Sequence, residues 1–242
     1  MLELRDLIVG YDEFDATHGI NIELKKGDFF ALIGANGAGK SSTLMSIAGH
    51  TTVKSGQIMF NGEDITQMPP YERIKLGIAI SPEGRRLFSD LTVSENLIVG
   101  GYTRSKKEAA ESKAIVFSYF PRLHERIDQL AGSLSGGEQQ MLALGRAMMT
   151  KPKLLMVDEV SLGLMPKAVD TCYDAMKRLN ESGITILFVE QNTSRALSSA
   201  NRVCALESGN VAWEGSAEEM KKTAGLVDML MGMKADGDAV TK

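Results

Sequence analysis

The sequence predicts an α/β protein in which helices flank a mostly parallel sheet. Four short apolar runs are bounded by charged or turn residues, which is typical of buried strands. The runs are Phe29–Ile33, Ile78–Ser81, Leu154–Val157 and Ile184–Val189. Helices are predicted directly after the first run and after the third, so strands and helices alternate. An antiparallel flap at the amino terminus and a helical lobe in the middle of the chain complete the predicted architecture.

Alternating apolar residues and a turn dipeptide predict the antiparallel flap. Apolar side chains occupy every second position at Leu2 and Leu4, and again from Ile20 to Leu24. The segment Ile58-Met59-Phe60 leads into Asn61-Gly62, a pair that favours the tight turn of a hairpin. We therefore expect antiparallel strands in this part of the chain.

A glycine-rich loop follows the first buried run. Gly34 is separated by four residues from Gly39-Lys40-Ser41, and a helix is predicted from residue 41 to residue 48. Glycines let backbone N–H groups approach an anion, and a helix N-terminus adds unpaired donors and positive dipole charge. An ordinary turn would leave the Lys40 cation at a helix start, where it is unfavourable. The pattern indicates a phosphate-binding loop (P-loop), with Lys40 on the β- and γ-phosphates and the Ser41 hydroxyl on Mg²⁺. The other predicted nucleotide contacts in this loop are Asn36, Gly37, Ala38 and Ser42.

Capping boxes predict a helical lobe over about residues 88–150. Thr92 with Glu95, and Ser105 with Glu108, have the spacing in which each side chain bonds the other residue's backbone N–H. Pro121 interrupts the helical pattern.

A third capping box, in Leu134-Ser135-Gly136-Gly137-Glu138, predicts more than a helix start. Glycine within a helical turn costs about 1 kcal/mol relative to alanine, so Gly136 and Gly137 indicate that something approaches this backbone closely. A bare helix N-terminus led by Ser135 is a second anion site. Ser135, Gly136, Gly137 and Glu138 therefore form a second candidate nucleotide site.

Adjacent carboxylates end the third buried run. Asp158 and Glu159 follow Leu154–Val157 directly, and ligands of parallel sheets collect at the carboxyl ends of the strands. We expect Asp158 to hold Mg²⁺ and Glu159 to orient or deprotonate the water that attacks the γ-phosphate. Taken alone, the same two residues are equally typical of a solvated loop.

The remaining patterns predict a single domain over residues 1–242. A helix from 167 to 180, a strand from 184, a helix near 194–200 and a hairpin around Ser208-Gly209 complete a core formed by residues 1–87 and 151–232. The helical subdomain occupies about residues 88–150, and residues 233–242 are expected to form a flexible tail.

Composition excludes several classes of function. A net charge of -4 and a pI near 5.5 argue against a nucleic-acid-binding surface. No apolar stretch approaches the length of a spanning helix, so any membrane role requires separate spanning subunits. Cys172 and Cys204 lie far apart, which predicts reduced thiols in a cytosolic protein. The three histidines form no ligand cluster, and no metal is expected besides Mg²⁺ that enters with the nucleotide.

These motifs together resemble the ATP-binding-cassette (ABC) ATPases, a branch of the P-loop NTPases. The resemblance implies ATP and Mg²⁺ as cofactors, and a signature motif at residues 134–138 that closes over ATP held by the opposite subunit. It also implies that Tyr11 stacks on adenine, although a plain strand tyrosine is the alternative.

Two positions depart from the common pattern of the family. The resemblance places Glu83 at the nucleotide and Mg²⁺ site, at a position where most cassettes have a glutamine that senses Mg²⁺ and touches the membrane subunit. Gln191 stands where they have a switch histidine. A glutamine amide can donate to a γ-phosphate oxygen but cannot shuttle a proton. We therefore hypothesise slow intrinsic turnover, with Glu159, Gln191 and Lys40 as the catalytic residues.

Four segments narrow the resemblance to one of the two ATPase subunits of branched-chain amino acid importers. They are residues 82–86, 137–143, 161–164 and 189–192; Val160 and Met165 depart from the usual proline and alanine. The resemblance implies a cytoplasmic subunit, peripheral on the inner face of the membrane. Its implied partners are a second ATPase subunit, identical or a sibling, integral membrane permease subunits and, indirectly, an extracytoplasmic solute-binding protein.

Another class of cassette remains open at this stage. A soluble ABC ATPase that drives assembly or remodelling, for example of iron–sulfur clusters, has the same architecture. A small GTPase would require an Asn-Lys-x-Asp element, which the sequence lacks.

Overall fold

The computed structural model describes residues 1–222, apart from the side chain of Tyr11. The strands are β1 (Leu2–Tyr11), β2 (Phe14–Asp15), β3 (Ile20–Leu24), β4 (Phe29–Ile33), β5 (Val53–Phe60), β6 (Glu63–Asp64), β7 (Ile78–Ser81), β8 (Leu154–Asp158), β9 (Thr185–Glu190), β10 (Arg202–Glu207) and β11 (Asn210–Ser216). The helices are α1 (Lys40–Ala48), α2 (Pro70–Leu76), α3 (Val93–Gly100), α4 (Lys106–Tyr119), α5 (Pro121–Glu125), α6 (Gly136–Met148), α7 (Pro166–Glu181), α8 (Thr193–Ser199) and α9 (Ala217–Lys222).

The four buried runs are neighbouring strands of one sheet, as predicted. Within the described residues this sheet has the order β11-β10-β4-β9-β8-β7, and every pairing is parallel except that of β10 with β11. Asp158 lies opposite Val189 in the register of β8 and β9, and Ile33 lies opposite Glu190 in that of β4 and β9. The carboxyl ends of β4, β9 and β8 therefore meet at one edge, where each is followed by a predicted site residue.

The predicted antiparallel flap is the second sheet. β1 pairs with β2, β3 and β5, and β5 pairs with β6, all antiparallel. Asn61 and Gly62, with φ of 52° and 86°, form the turn between β5 and β6. Asparagine and glycine tolerate these left-handed values better than other residues do, which explains the dipeptide.

Alternate residues of the parallel strands enter two separate hydrophobic clusters. On β4, Phe29, Ala31 and Ile33 pack into the cluster that includes α6 and α7, whereas Phe30 and Leu32 pack into the cluster that includes α1 and the antiparallel sheet. Both faces of the parallel sheet are thus covered, which is why β4 is apolar at every position.

Helices α3 to α6 occupy the region predicted as a helical lobe. The capping boxes at Thr92, Ser105 and Ser135 are all formed. Pro121 ends the pattern of α4 and is also the first residue of α5, a position at which its missing N–H is not needed. Because α6 packs on α3 and also on β7 and α7, it joins the helical region to the sheet. The predicted domain bounds stay a prediction, and the predicted tail at 233–242 lies outside the described residues.

No helix in the described part of the chain is long and apolar enough to cross a membrane. The thiols of Cys172 and Cys204 are free and buried.

Candidate nucleotide site

The P-loop folds back on its own lysine. Helix α1 begins at Lys40, whose ammonium group donates to the carbonyl oxygens of Gly34 and Ala35, both at 2.9 Å. Lys40 is 5% exposed. Burial lowers the pKa of Lys40, while the charges of Glu159, Asp158 and Glu190 oppose that shift. The loop thereby holds a cation among carboxylates at the helix N-terminus.

Close packing explains two of the loop's glycines. A Cβ atom at Gly34 would lie 2.3 Å from the carbonyl oxygen of Leu206, and one at Gly39 would lie 2.4 Å from that of Ala16. Both residues also have positive φ, 148° and 100°, so a larger residue would displace the loop. Asn36 and Gly37 are exposed, whereas Ala38 is buried.

The Asp158 carboxylate has the environment of a metal ligand. The Ser41 hydroxyl donates to Asp158 Oδ1 at 3.2 Å, and Asp158 Oδ2 is buried without a hydrogen-bond partner among the described residues. Burial raises the pKa of Asp158 to about 6; the charges of Glu159 and Glu83 add to the shift, and the Ser41 hydrogen bond and Lys40 oppose it. An unsatisfied carboxylate oxygen beside a hydroxyl fits Mg²⁺, which binds through few protein groups together with substrate phosphates. No cluster of three or more other metal-ligating side chains occurs in the described residues.

Glu159 and Gln191 are in contact. The Gln191 amide donates to Glu159 Oε1, and the Glu159 backbone N–H donates to the Val189 carbonyl at 3.1 Å. Glu159 has a φ of 50°, a left-handed value that is costly outside glycine and that occurs preferentially at functional sites. The Gln191 amide therefore holds the very carboxylate that the sequence assigned to the attacking water.

A cleft of about 620 Å³ adjoins these residues. Ser41, Ser42, Glu83 and Asp158 are among the residues that line it. Glu83 is exposed on the loop after β7. The cleft thus brings together three predicted metal-site residues, although Ser41 and Asp158 alone are bonded to each other.

The signature residues Ser135–Glu138 lie apart from the P-loop. In residues 1–222, no hydrogen bond or ion pair joins them to residues 34–42. Glu138 accepts from the backbone N–H and hydroxyl of Ser135, and its other oxygen lies 2.6 Å from Arg126 Nε. The P-loop and the predicted second nucleotide site are therefore not bonded to each other in the described part of the chain.

Neighbours within the chain account for part of the glycine requirement in the signature. A Cβ at Gly137 would lie 2.5 Å from the Cβ of Ala168, and one at Gly136 would lie 3.3 Å from an Arg85 guanidinium nitrogen. Arg85 also donates to Gln139 Oε1 at 3.0 Å. The close approach inferred from the sequence exists, but in this structure the approaching groups belong to the same chain.

Tyr11 and Glu190 are the last residues of β1 and β9. Tyr11 ends β1, and its side chain lies outside the described part of the structure, so adenine stacking stays a prediction. Glu190 ends β9 and is 2% exposed; it lies in the segment 189–192, and the sequence predicted no role for it. The available signal was a charge at the end of an otherwise apolar run.

Comparison with known proteins identifies the family of the chain. A model of the ABC transporter family matches residues 17–161. The high-affinity branched-chain amino acid transport ATP-binding protein BraG of Pseudomonas aeruginosa is 42% identical over 232 residues, covering 96% of this chain and 100% of BraG. The probable branched-chain amino acid transport ATP-binding protein LivF of Archaeoglobus fulgidus is 40% identical over 234 residues, covering 96% and 99%.

A solved structure supports the same assignment of the fold. The nucleotide-free ATP-binding cassette of an ABC transporter is 28% identical with a TM-score of 0.83, covering 91% of this chain and 93% of that cassette. The chain belongs to the ABC transporter family, as an ATP-binding cassette with ATPase activity.

Proposed function

We propose that this chain is the ATP-hydrolysing subunit of an importer that takes up branched-chain amino acids or a related small polar solute. The observation that carries the proposal is the convergence of Lys40, Ser41, Asp158 and Glu159 at the carboxyl ends of β4 and β8. The two transport relatives, which match nearly their whole length, support the class of cargo.

Phosphate binding follows from the P-loop. Backbone N–H groups at the start of α1 surround the phosphates, and Lys40 exchanges its bonds to Gly34 and Ala35 for phosphate oxygens. Ser41 and Asp158 would hold Mg²⁺, which would neutralise charge on the phosphates. Asp158 must be ionised for this role, so its raised pKa makes the site sensitive to mildly acidic pH.

Hydrolysis depends on Glu159. Its carboxylate orients the attacking water in line with the γ-phosphate and accepts a proton from it. Gln191 donates to that carboxylate and so fixes its direction. Because an amide cannot transfer a proton, Gln191 contributes position alone, and intrinsic turnover is slow.

A second ATPase subunit, identical or a sibling, completes the site. In residues 1–222 the only anion bonded to the N-terminus of α6 is the Glu138 carboxylate, which caps Ser135, and no signature residue bonds the P-loop that would hold the γ-phosphate. Two facing copies supply each other's missing half, so that ATP joins them and hydrolysis releases them.

Permease subunits bind the surface between core and helical region. A cleft of about 280 Å³ there is lined by residues that include Ile80, Arg86, Phe88, Val99, Tyr102 and Arg146. Phe88 and Tyr102 are 49% and 65% exposed, and exposed aromatic residues around a cleft favour a protein interface. The chain would then lie on the cytoplasmic face of the membrane and respond to an external solute-binding protein indirectly.

The test uses the hydrolysis-deficient variant Glu159→Gln, saturated with Mg-ATP and examined by light scattering and crosslinking. We expect a face-to-face dimer that requires ATP and that disappears when Lys40→Met is added. The same tagged chain should co-purify with integral membrane subunits. A stable complex of soluble proteins alone would contradict the transport proposal and favour an assembly or remodelling ATPase.

A further inference from the structure

A buried carboxylate beside the catalytic residues has no part in the steps above. Glu190 is the last residue of β9, next to Gln191, and only 2% of it is exposed. Burial of a charged group is unfavourable unless the group is paired or fully hydrogen-bonded. The contacts of Glu190 therefore indicate what it does.

Both oxygens of Glu190 are occupied. Oε1 accepts from the Ser161 hydroxyl at 2.7 Å and from the backbone N–H groups of Gln191 and Asn192 at 3.0 and 3.1 Å. Oε2 accepts from the Tyr173 hydroxyl at 2.8 Å. We call these five residues the Glu190 cluster. Its donors come from the loop after β8, from α7 and from the loop after β9.

Tyr173 gives the cluster a rigid support. Its ring lies edge-on to Phe188 with centroids 5.8 Å apart, and the Arg195 guanidinium lies 5.5 Å from the ring centroid. Burial raises the pKa of Tyr173, and the neighbouring Glu190 charge adds to the shift. The hydroxyl therefore stays protonated at neutral pH and donates continuously to Glu190.

Ser161 belongs to a surface loop that reaches the signature helix. Leu162 and Met165 in this loop are 54% and 77% exposed, and the Leu164 side chain lies 3.5 Å from the position of a Cβ at Gly136. The loop starts two residues after Glu159. It therefore runs from the hydrolytic carboxylate to the half-site that the second subunit would use.

We propose that Glu190 is a positioning residue that couples the loop at residues 161–165, which faces the second ATPase subunit, to Glu159 and Gln191. This inference rests on the proposed dimeric ATPase. When the partner packs on the loop, a shift of Ser161 moves Glu190, to which the Ser161 hydroxyl is bonded. Glu190 in turn positions the backbone N–H of Gln191, and the side-chain amide of Gln191 holds Glu159. Hydrolysis then becomes efficient only in the closed dimer.

The test removes single hydroxyl groups from the cluster. In Tyr173→Phe and in Ser161→Ala, we expect single-turnover hydrolysis to fall roughly tenfold. A displacement of about 1 Å can cost about 100-fold, and loss of one hydroxyl should move the catalytic groups by less than that. Nucleotide affinity, measured with a fluorescent ATP analogue, should be unchanged because the P-loop is intact. Matched controls are Tyr119→Phe, whose ring packs under Arg178, and Ser198→Ala, whose hydroxyl bonds within α8.

Two substitutions of Glu190 distinguish the effect of its side-chain length from the effect of its charge. Glu190→Gln keeps the side-chain length and one acceptor oxygen for Ser161, Gln191 and Asn192, and its NH₂ can donate to the Tyr173 oxygen. Glu190→Asp keeps the charge but withdraws the oxygens from Ser161 and Tyr173. Positioning predicts that hydrolysis is closer to that of the unmodified chain in Glu190→Gln than in Glu190→Asp. The reverse order would overturn the proposal, because the charge of Glu190 near Lys40 would then be what matters.

Thermal unfolding of every variant separates function from stability. A loss of stability in Tyr173→Phe and Ser161→Ala, with unchanged hydrolysis per folded molecule, would reduce the cluster to a structural element and overturn the proposal. The unmodified chain is measured first. If it neither dimerises with ATP nor hydrolyses it, the proposed function itself fails; if it does both and the variants match it, the coupling role alone fails.

Discussion

The Ser41 hydroxyl donates to Asp158 Oδ1 at 3.2 Å across 117 positions of sequence. This bond joins the first turn of α1 to the end of β8. Asp158 is almost fully buried, and its second carboxylate oxygen, Oδ2, has no hydrogen-bond donor among the described residues. An unsatisfied, buried carboxylate oxygen is unfavourable, so Asp158 lowers the stability of the protein at pH values where it is ionised.

This loss of stability depends on pH. The folded protein raises the pKa of Asp158 from 3.8 to about 6, so between these values the folded state binds more protons than the unfolded state. The contribution of protonated Asp158 to the free energy of unfolding is fully present below pH 3.8 and is lost as the pH rises through about 6. Above that pH, the ionised and buried carboxylate destabilises the nucleotide-free chain.

We therefore predict that Asp158→Asn raises the free energy of unfolding of the nucleotide-free protein by about 2 kcal/mol at pH 8. Near pH 4 the two proteins should be almost equally stable. Urea unfolding in the presence of a chelator measures both. With Mg-ATP the order should reverse, since the amide is a poor Mg²⁺ ligand. A variant less stable than the original at both pH values would contradict the prediction.

The contact between Gln191 and Glu159 predicts a gain of activity. In Gln191→His, an imidazole replaces the amide and can both donate to the γ-phosphate and transfer a proton. We expect single-turnover hydrolysis to rise by about tenfold. This is less than the roughly 10²–10⁴-fold that a well-positioned general acid–base group contributes. Gln191→Ala is the control and should lower the rate. An unchanged rate in Gln191→His would remove the hypothesis of slow intrinsic turnover.

Arg73, which is outside the candidate site, is expected to contribute strongly to the stability of the fold. It is 2% exposed and donates to four carbonyl oxygens, those of Ser46, Ile47, Thr66 and Met68. Arg73→Met leaves these acceptors without donors and should lower the free energy of unfolding by about 3 kcal/mol. Denaturant titration measures this loss. Lys75→Met, an exposed substitution on the same helix, should have almost no effect.

Gly137 allows the two explanations of the signature glycines to be separated. Gly137→Ala forces a Cβ to within 2.5 Å of the Ala168 Cβ, and overpacking of this kind costs about 1–3 kcal/mol. Adding Ala168→Gly should restore stability. If the glycine also admits the partner's nucleotide, the double variant still fails to dimerise with ATP in scattering measurements. Recovery of both properties would mean that packing against α7 is the whole reason for the glycine.

Local patterns were sufficient for most elements of the fold. The bounds of β4 and β7 match the predicted apolar runs, and each predicted capping box is present. These features depend on neighbours within a few residues, so the sequence contains the information directly. The P-loop could be recognised for the same reason, since strand, glycines and helix are contiguous.

The contacts between Ser41 and Asp158, between Gln191 and Glu159, and within the Glu190 cluster could not be read from the sequence. They depend on the order of strands β4, β9 and β8 in the sheet, which brings distant segments to one edge. The Cβ contact of Gly137 with Ala168 is of the same kind. Such contacts are set by how elements pack, and no periodicity in the chain encodes the pairing.

The sequence by itself determined the fold class, the phosphate loop, the signature motif and the family, because each rests on short and contiguous patterns. The tertiary structure alone decided that Asp158 has an unsatisfied buried oxygen, that Gln191 holds Glu159 and that Glu190 joins two loops. The physical reason is that burial and hydrogen-bond partners are properties of the packed sheet edge, where strands distant in sequence end side by side.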